Sequence, residues 1–212
     1  MSVAHTTPAD PLGCQRLAAL GATIFEIDVR LHSGRVVASH YLPLVLGVEA
    51  LQRHNWRLRR GRAGARDRSL SDLVERIPPQ CRILLDCKDD TAATAPPLSE
   101  QIREGVTDIG RYVVASKNWS ALAPLRDAGF EVWASAATRR ALAELLFGNV
   151  ECDAATVRHS LLTSDTVRSL RQAYGTVVAW TVNDMSRALT LATMGIAGIT
   201  SDNPRVLALS NS

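Results

Sequence analysis

The chain has 212 residues, of which 46% are hydrophobic and only 5% aromatic, with mean hydropathy near zero. That composition suits one compact domain spanning residues 1–212, with a core of Ala, Val, Leu and Ile, and lies at the short end for an α/β barrel. The formal net charge of +3 is mild, and no apolar run is long enough to span a membrane.

Taken in chain order, Val3-Ala4 forms a strand only if tertiary structure supports it, and Leu12 to Leu20 is amphipathic. Ala22 to Val29 (ATIFEIDV) is a β-rich run that ends in acidic residues. After a turn at Ser33-Gly34, Arg35 to Ser39 (RVVAS) adds a short hairpin strand. Most of the basic excess sits in Arg53 to Arg68. Such a run reads as a solvated loop, or functionally as a cationic rim drawing an anionic substrate or making weak contact with a phospholipid surface. Its only aromatic is Trp56 and no recognition helix follows, which argues against nucleic acid.

A helix over Ser69 to Arg76, capped by Ser69 or Ser71, leads to the strand Arg82 to Cys87 (RILLDC). Asp89 to Pro97 reads as a loop. Helices are then expected at Leu98–Ile109, Ser120–Asp127, Arg139–Leu146, Ser164–Ala173 and Met185–Met194, the last capped by Asn183 and ended by Gly195. Strands alternate with them at Tyr112–Ser116, Glu131–Ser135, Ala154–Val157, Thr176–Val182 and Ala197–Thr200. Apart from the hairpin, eight strands alternate with helices. The pattern predicts a compact (β/α)8 TIM barrel with a short extra strand after the second barrel strand. No glycine-rich phosphate loop follows the first strand, which disfavours a dinucleotide fold.

Cys14, Cys81, Cys87 and Cys152 form no CxxC pair and are expected to be buried and reduced. The opening MSVAHTTPAD shows no basic stretch followed by an apolar one, so a cytoplasmic protein is expected. No protein partner is evident.

In such a barrel the C-terminal strand ends line the active site. Glu26 and Asp28, two apart on one strand, project to the same face. Buried together they repel unless a cation neutralises them, and Asp86 on the next core strand supplies a third oxygen ligand. This is a hard-cation site suited to Mg²⁺ or Ca²⁺. His5 and His40 flank the cluster in sequence and suit an acid/base pair for phosphodiester cleavage. Lys88 shares the face of Asp86, either to hold a phosphate oxygen or to form a salt bridge within the cluster. Lys117 is a second phosphate candidate, and Trp180 is placed to wall the pocket against an apolar or choline-like group. His32 and His54 read as surface residues, and His159 is ambiguous.

These segments resemble the glycerophosphodiester phosphodiesterase superfamily, which includes the sphingomyelinase D/phospholipase D toxins. The likeness rests on GATIFEIDVRLHSGRVVASHYLPL, on RILLDCKDD and on VVAWTVNDMSRALTLATMGIAGITSDNP. It implies a (β/α)8 barrel holding Mg²⁺ or Ca²⁺ on Glu26, Asp28 and Asp86, with His5 and His40 as acid and base. Lys88 and Trp180 would contact a glycerophosphodiester or lysophospholipid-type substrate. The family's His-Arg-Gly motif is here His5-Thr6-Thr7, its Pro-Glu-Asn-Thr motif is missing, and Asp86 stands where Glu is commoner. The missing arginine and the Asp-x-Lys pattern lean toward the sphingomyelinase D-like branch, which would release a cyclic phosphate. That branch's catalytic-loop disulfide has no counterpart between His40 and Arg53. A non-catalytic barrel that binds phosphate esters is the remaining alternative.

Overall fold

The computed structural model describes residues 1–8, 10–32, 35–38, 68–88 and 95–211. Ten strands form one sheet: β1 (Ser2–Ala4), β2 (Ile24–His32), β3 (Arg35–Ala38), β4 (Arg68–Ser69), β5 (Arg82–Cys87), β6 (Tyr112–Ser116), β7 (Glu131–Ala136), β8 (Ala154–Arg158), β9 (Thr176–Trp180) and β10 (Gly198–Ser201). The order β1-β10-β9-β8-β7-β6-β5-β2 closes on itself because β1 also pairs with β2, through Val3↔Ile24 and Ala4↔Phe25. Every pairing in that ring is parallel, giving a closed eight-stranded barrel. Outside it, β3 pairs antiparallel with the far end of β2, and the two-residue β4 pairs with β3.

Between the strands run α1 (Pro11–Ala19), α2 (Leu70–Val74), α3 (Ala95–Gly105), α4 (Ala123–Asp127), α5 (Arg139–Phe147), α6 (Ser164–Tyr174) and α7 (Met185–Thr193), and α8 (Pro204–Leu207) follows β10. Among the described residues no helix is long and apolar enough to cross a membrane.

Two local expectations are corrected. Pro96 and Pro97 lie in the first turn of α3, where a missing N–H costs nothing, so the expected loop at Asp89–Pro97 ends by Ala95. The helix expected from Ser164 begins there as α6, with Thr163 as its cap in a reciprocal capping box with Thr166. Asp184, not Asn183, caps α7 by accepting from Arg187 N. Gly195 follows α7 with φ +85°, the left-handed stop that glycine adopts without strain.

Strand alternation divides the core in two. Val3, Ile24, Leu84, Val113, Ala115, Trp133, Ala154 and Val178 fill the barrel interior. Their neighbours, such as Phe25, Ile27, Val29, Ile83, Leu85 and Val177, pack outward with the helices. The interior filling is aliphatic except for Trp133, which is fully buried and whose indole N–H donates to Glu131 Oε1 at 2.7 Å. Glu131 also pairs with Arg82 at 2.7 Å, and both residues begin their strands. This end of the barrel is therefore closed by a salt bridge and an aromatic plug. Polar groups toward the other end have open space above them.

Candidate active site

The inward row of β2 continues from Ile24 to Glu26 and Asp28, and that of β5 from Leu84 to Asp86. Register places Asp28 directly beside Asp86. Glu26, Asp28 and Asp86 each offer an oxygen, and the three atoms lie within 4.8 Å of one another. Glu26 is buried, and its Oε2 accepts no hydrogen bond from any described residue. Burial, reinforced by the charge of Asp86, raises its pKa from 4.5 to about 8. Burial likewise raises Asp86, against the opposing pull of Lys88.

Lys88 follows β5, and its ammonium pairs with Asp28 at 2.7 Å and with Asp86. Burial disfavours its charge, but the two carboxylates outweigh burial and raise its pKa. The salt-bridge reading of Lys88 is thus realised, and the residue still lines the cavity. With all three carboxylates ionised, the one ammonium would leave two negative charges uncompensated. A divalent cation would balance them, and Glu26 Oε2 is an acceptor without a donor, so the donor set fits the metal.

His5 sits immediately after β1, anchored at both ends. Its backbone N–H donates to Ser201 O at 3.0 Å, and Thr7 donates to Glu26 O through its backbone N–H at 3.1 Å and through its hydroxyl at 2.8 Å. Between them Thr6 adopts φ +63°, a left-handed conformation that a β-branched residue takes only under constraint. The imidazole Nδ1 lies 2.7 Å from Asp202 Oδ1, while Nε2 faces Glu26 Oε2 at 3.9 Å. Burial lowers the His5 pKa, but the Asp202 hydrogen bond and the Glu26 charge overcome that and bring it to about 9.

Asp202 is itself fixed by Asn183, whose Nδ2 donates to Asp202 Oδ2 at 3.0 Å and whose Oδ1 accepts from Asp202 N at 2.8 Å. The same Oδ1 accepts from Ser201 Oγ at 3.0 Å, and His5 holds the Asp202 carboxyl below its usual range. Sequence reasoning missed this link. Asn183 looked like a helix cap, and Asp202 is 197 positions from its partner. The available signal was that Ser201-Asp202 falls at a barrel strand end.

A cavity of about 290 Å³ opens over these groups, lined by His5, Glu26, Asp86, Lys88, Lys117 and Trp180. Leu84 and Ala115 also line it, and Ser135, Thr156, Thr181 and Thr200 add small polar groups that were not singled out from sequence. Trp180 carries two cations over its ring: Lys117 Nζ at 6.0 Å from the centroid and Arg158 Cζ at 5.6 Å. Its buried indole N–H meets no acceptor among the described residues. His159 does not line the cavity. It begins a 3-10 turn after β8, and its carbonyl accepts from the Arg187 guanidinium. His40 lies outside the described residues, as do His54 and the basic run before Arg68.

Residues 110–206 match the glycerophosphoryl diester phosphodiesterase family. Lys117, Trp180 and Asp202 fall inside the matched stretch, whereas His5, the three carboxylates and Lys88 precede it.

Solved structures of phosphodiesterases share the fold over the whole chain. An Oleispira antarctica phosphodiesterase in complex with the product sn-glycerol-3-phosphate superposes with a TM-score of 0.74 at 18% identity, covering 100% of this chain and 97% of that one. A glycerophosphodiester phosphodiesterase from Parabacteroides distasonis gives 0.71 at 16% identity, with coverage of 100% and 98%. The Thermotoga maritima glycerophosphodiester phosphodiesterase gives 0.70 at 16% identity, with coverage of 99% and 97%. No curated protein sequence matches the chain.

Proposed function

We propose that this protein is a divalent-metal-dependent phosphodiesterase that cleaves glycerophosphodiesters or lysophospholipid-type phosphodiesters. The observation that carries the reading is the joining, at one barrel mouth, of three clustered carboxylates and a histidine oriented by a carboxylate. Glu26, Asp28 and Asp86 would hold Mg²⁺ or Ca²⁺. When bound, the ion supplies Lewis-acid polarisation of a phosphoryl oxygen.

The chain's own residues divide the remaining work. Lys117, which makes no ion pair among the described residues, binds a non-bridging phosphate oxygen, and Lys88 adds positive charge beside it. His5 carries a proton at neutral pH because its pKa stands near 9, so it serves as the acid. Its Nε2 donates that proton to the departing alkoxide as the phosphorus–oxygen bond breaks. His40 acts as base and takes the proton of the neighbouring substrate hydroxyl that attacks phosphorus. The product is a cyclic phosphate, which water then opens. Asp202 accepts from Nδ1–H and aims Nε2 into the cavity. The product named for the Oleispira protein accords with a small glycerophosphodiester as substrate. The cysteines Cys14, Cys81, Cys87 and Cys152, all free, accord with a cytoplasmic protein.

The purified protein with Mg²⁺ or Ca²⁺ should release glycerol phosphate from a panel of glycerophosphodiesters. H5A and H40A should each lower the rate by about 10²–10⁴-fold, the usual range for a general acid or base. Rates unaffected by both substitutions would sink the assignment. Thr6, standing where the family has arginine, favours a second reading in which the reaction stops at the cyclic phosphate. Phosphorus NMR of the product separates the two, since a cyclic diester and a monoester resonate apart.

A further inference from the structure

Trp180 and Arg158 are register partners on adjacent strands β9 and β8, so their pairing is set by the sheet rather than by a loop. Lys117 reaches the same indole from just beyond β6. Neither Arg158 nor Lys117 makes an ion pair among the described residues, although Arg158 is exposed and Lys117 lines the cavity. The aromatic wall of the cavity is thus already engaged by two of the chain's own cations. A quaternary ammonium placed against this ring would meet like charge on arrival, which reverses the use that a bare tryptophan wall has for choline.

We infer that the rim beside Trp180 accepts an anionic group carried by the alcohol portion of the substrate, with Arg158 as its specificity-determining residue. This rests on the phosphodiesterase reading for the placement of the scissile phosphate at Lys117 and the carboxylate cluster. The guanidinium offers paired N–H donors that match a carboxylate or a second phosphate, and its position over the indole, 5.6 Å from the centroid, holds that fork at the rim. The preferred diester therefore bears a negative charge beyond the scissile phosphate. Diesters of choline or ethanolamine, whose alcohol portion is purely cationic, are disfavoured.

Glycerophosphoserine and glycerophosphoethanolamine differ only by one carboxylate and make a matched pair. Their dissociation constants are measured by calorimetry on the wild-type protein in chelator, where turnover is suppressed, and their kcat/KM values in Mg²⁺. The serine diester should bind about tenfold more tightly and be preferred to a similar degree in kcat/KM. R158Q should bring the two dissociation constants within about twofold of each other, and R158K should retain part of the preference. Equal affinities in the wild type, tighter binding of the ethanolamine diester, binding of neither, or a preference that R158Q leaves intact would each overturn the inference. A serine preference in binding without turnover of either diester would refute the hydrolase reading while supporting the anionic rim.

Discussion

Replacing Lys88 by methionine removes the chain's own cation from the carboxylate cluster while keeping most of the side-chain volume. Lys88, Asp28 and Asp86 have side chains only 14%, 13% and 16% exposed, so the charges left behind are poorly hydrated. Breaking a buried pair by deleting one partner typically costs about 3–5 kcal/mol. For a chain of this size that corresponds to a fall in Tm of roughly 6–20 °C. The sign with pH follows from linkage. Without the ammonium, the native Asp86 carboxyl rises further above its unfolded value, so the native state keeps a proton that the unfolded state has lost. The deficit should be small below about pH 4, the ordinary carboxylate value, and widen toward neutrality. A divalent ion should restore stability, by about 2.7 kcal/mol at a hundred times its dissociation constant. The gain should exceed that of the wild type, since the ammonium no longer competes for the same oxygens. Urea unfolding of both proteins across pH, with Mg²⁺ and with chelator, measures all of this. A deficit under about 1 kcal/mol at pH 7, or one indifferent to both pH and cation, would refute the claim that Lys88 neutralises the cluster.

Further outcomes follow from the same geometry. In chelator, the wild type should lose stability as pH rises from about 6 to about 9. Glu26, raised from 4.5 to about 8, and His5, raised from 6.5 to about 9, both favour the native state while protonated and lose that advantage as pH passes their folded values. Urea midpoints that stay flat or climb over that interval would contradict the assignment. D202N should drop the His5 pKa toward its ordinary value, seen as a shifted imidazole titration by NMR, and lower kcat/KM by about 10–100-fold. An unmoved His5 titration would show that Asp202 does not orient the ring. W133A empties the barrel interior and should cost about 3–5 kcal/mol in urea unfolding, with divalent-ion affinity unchanged once the protein is folded. A loss below about 1 kcal/mol would mean that the plug is not structural.

The barrel was legible because its signal is local. Runs such as Ile83 to Leu85 and Val177 to Ala179 are apolar on both faces, which only a sheet covered on one side and filled on the other requires. Glu26 and Asp28 stood out for the same reason, as two charges of equal parity in a strand otherwise built for burial. What sequence could not supply was pairing across the closure of the ring. Asp202 reaches His5 only because β10 lies beside β1, a neighbourhood that exists once the barrel closes. Arg158 was passed over because it lies at the very end of β8, where an exposed cation carries no periodic signature.

The family likeness and the site overlap only in part along the chain. The stretch that matches the family runs from β6 through β10 and supplies Trp180, Lys117 and the Asn183–Asp202 clamp. The three clustered carboxylates come from β2 and β5, ahead of it. His5 touches both: its Nδ1 lies 2.7 Å from Asp202 Oδ1 in the matched stretch, while the other ring nitrogen faces Glu26 ahead of it. His5 therefore reports on both: its protonation is set by the clamp on one side and by the carboxylate cluster on the other. A change at either half should be visible in the titration of that single ring, before any substrate is added.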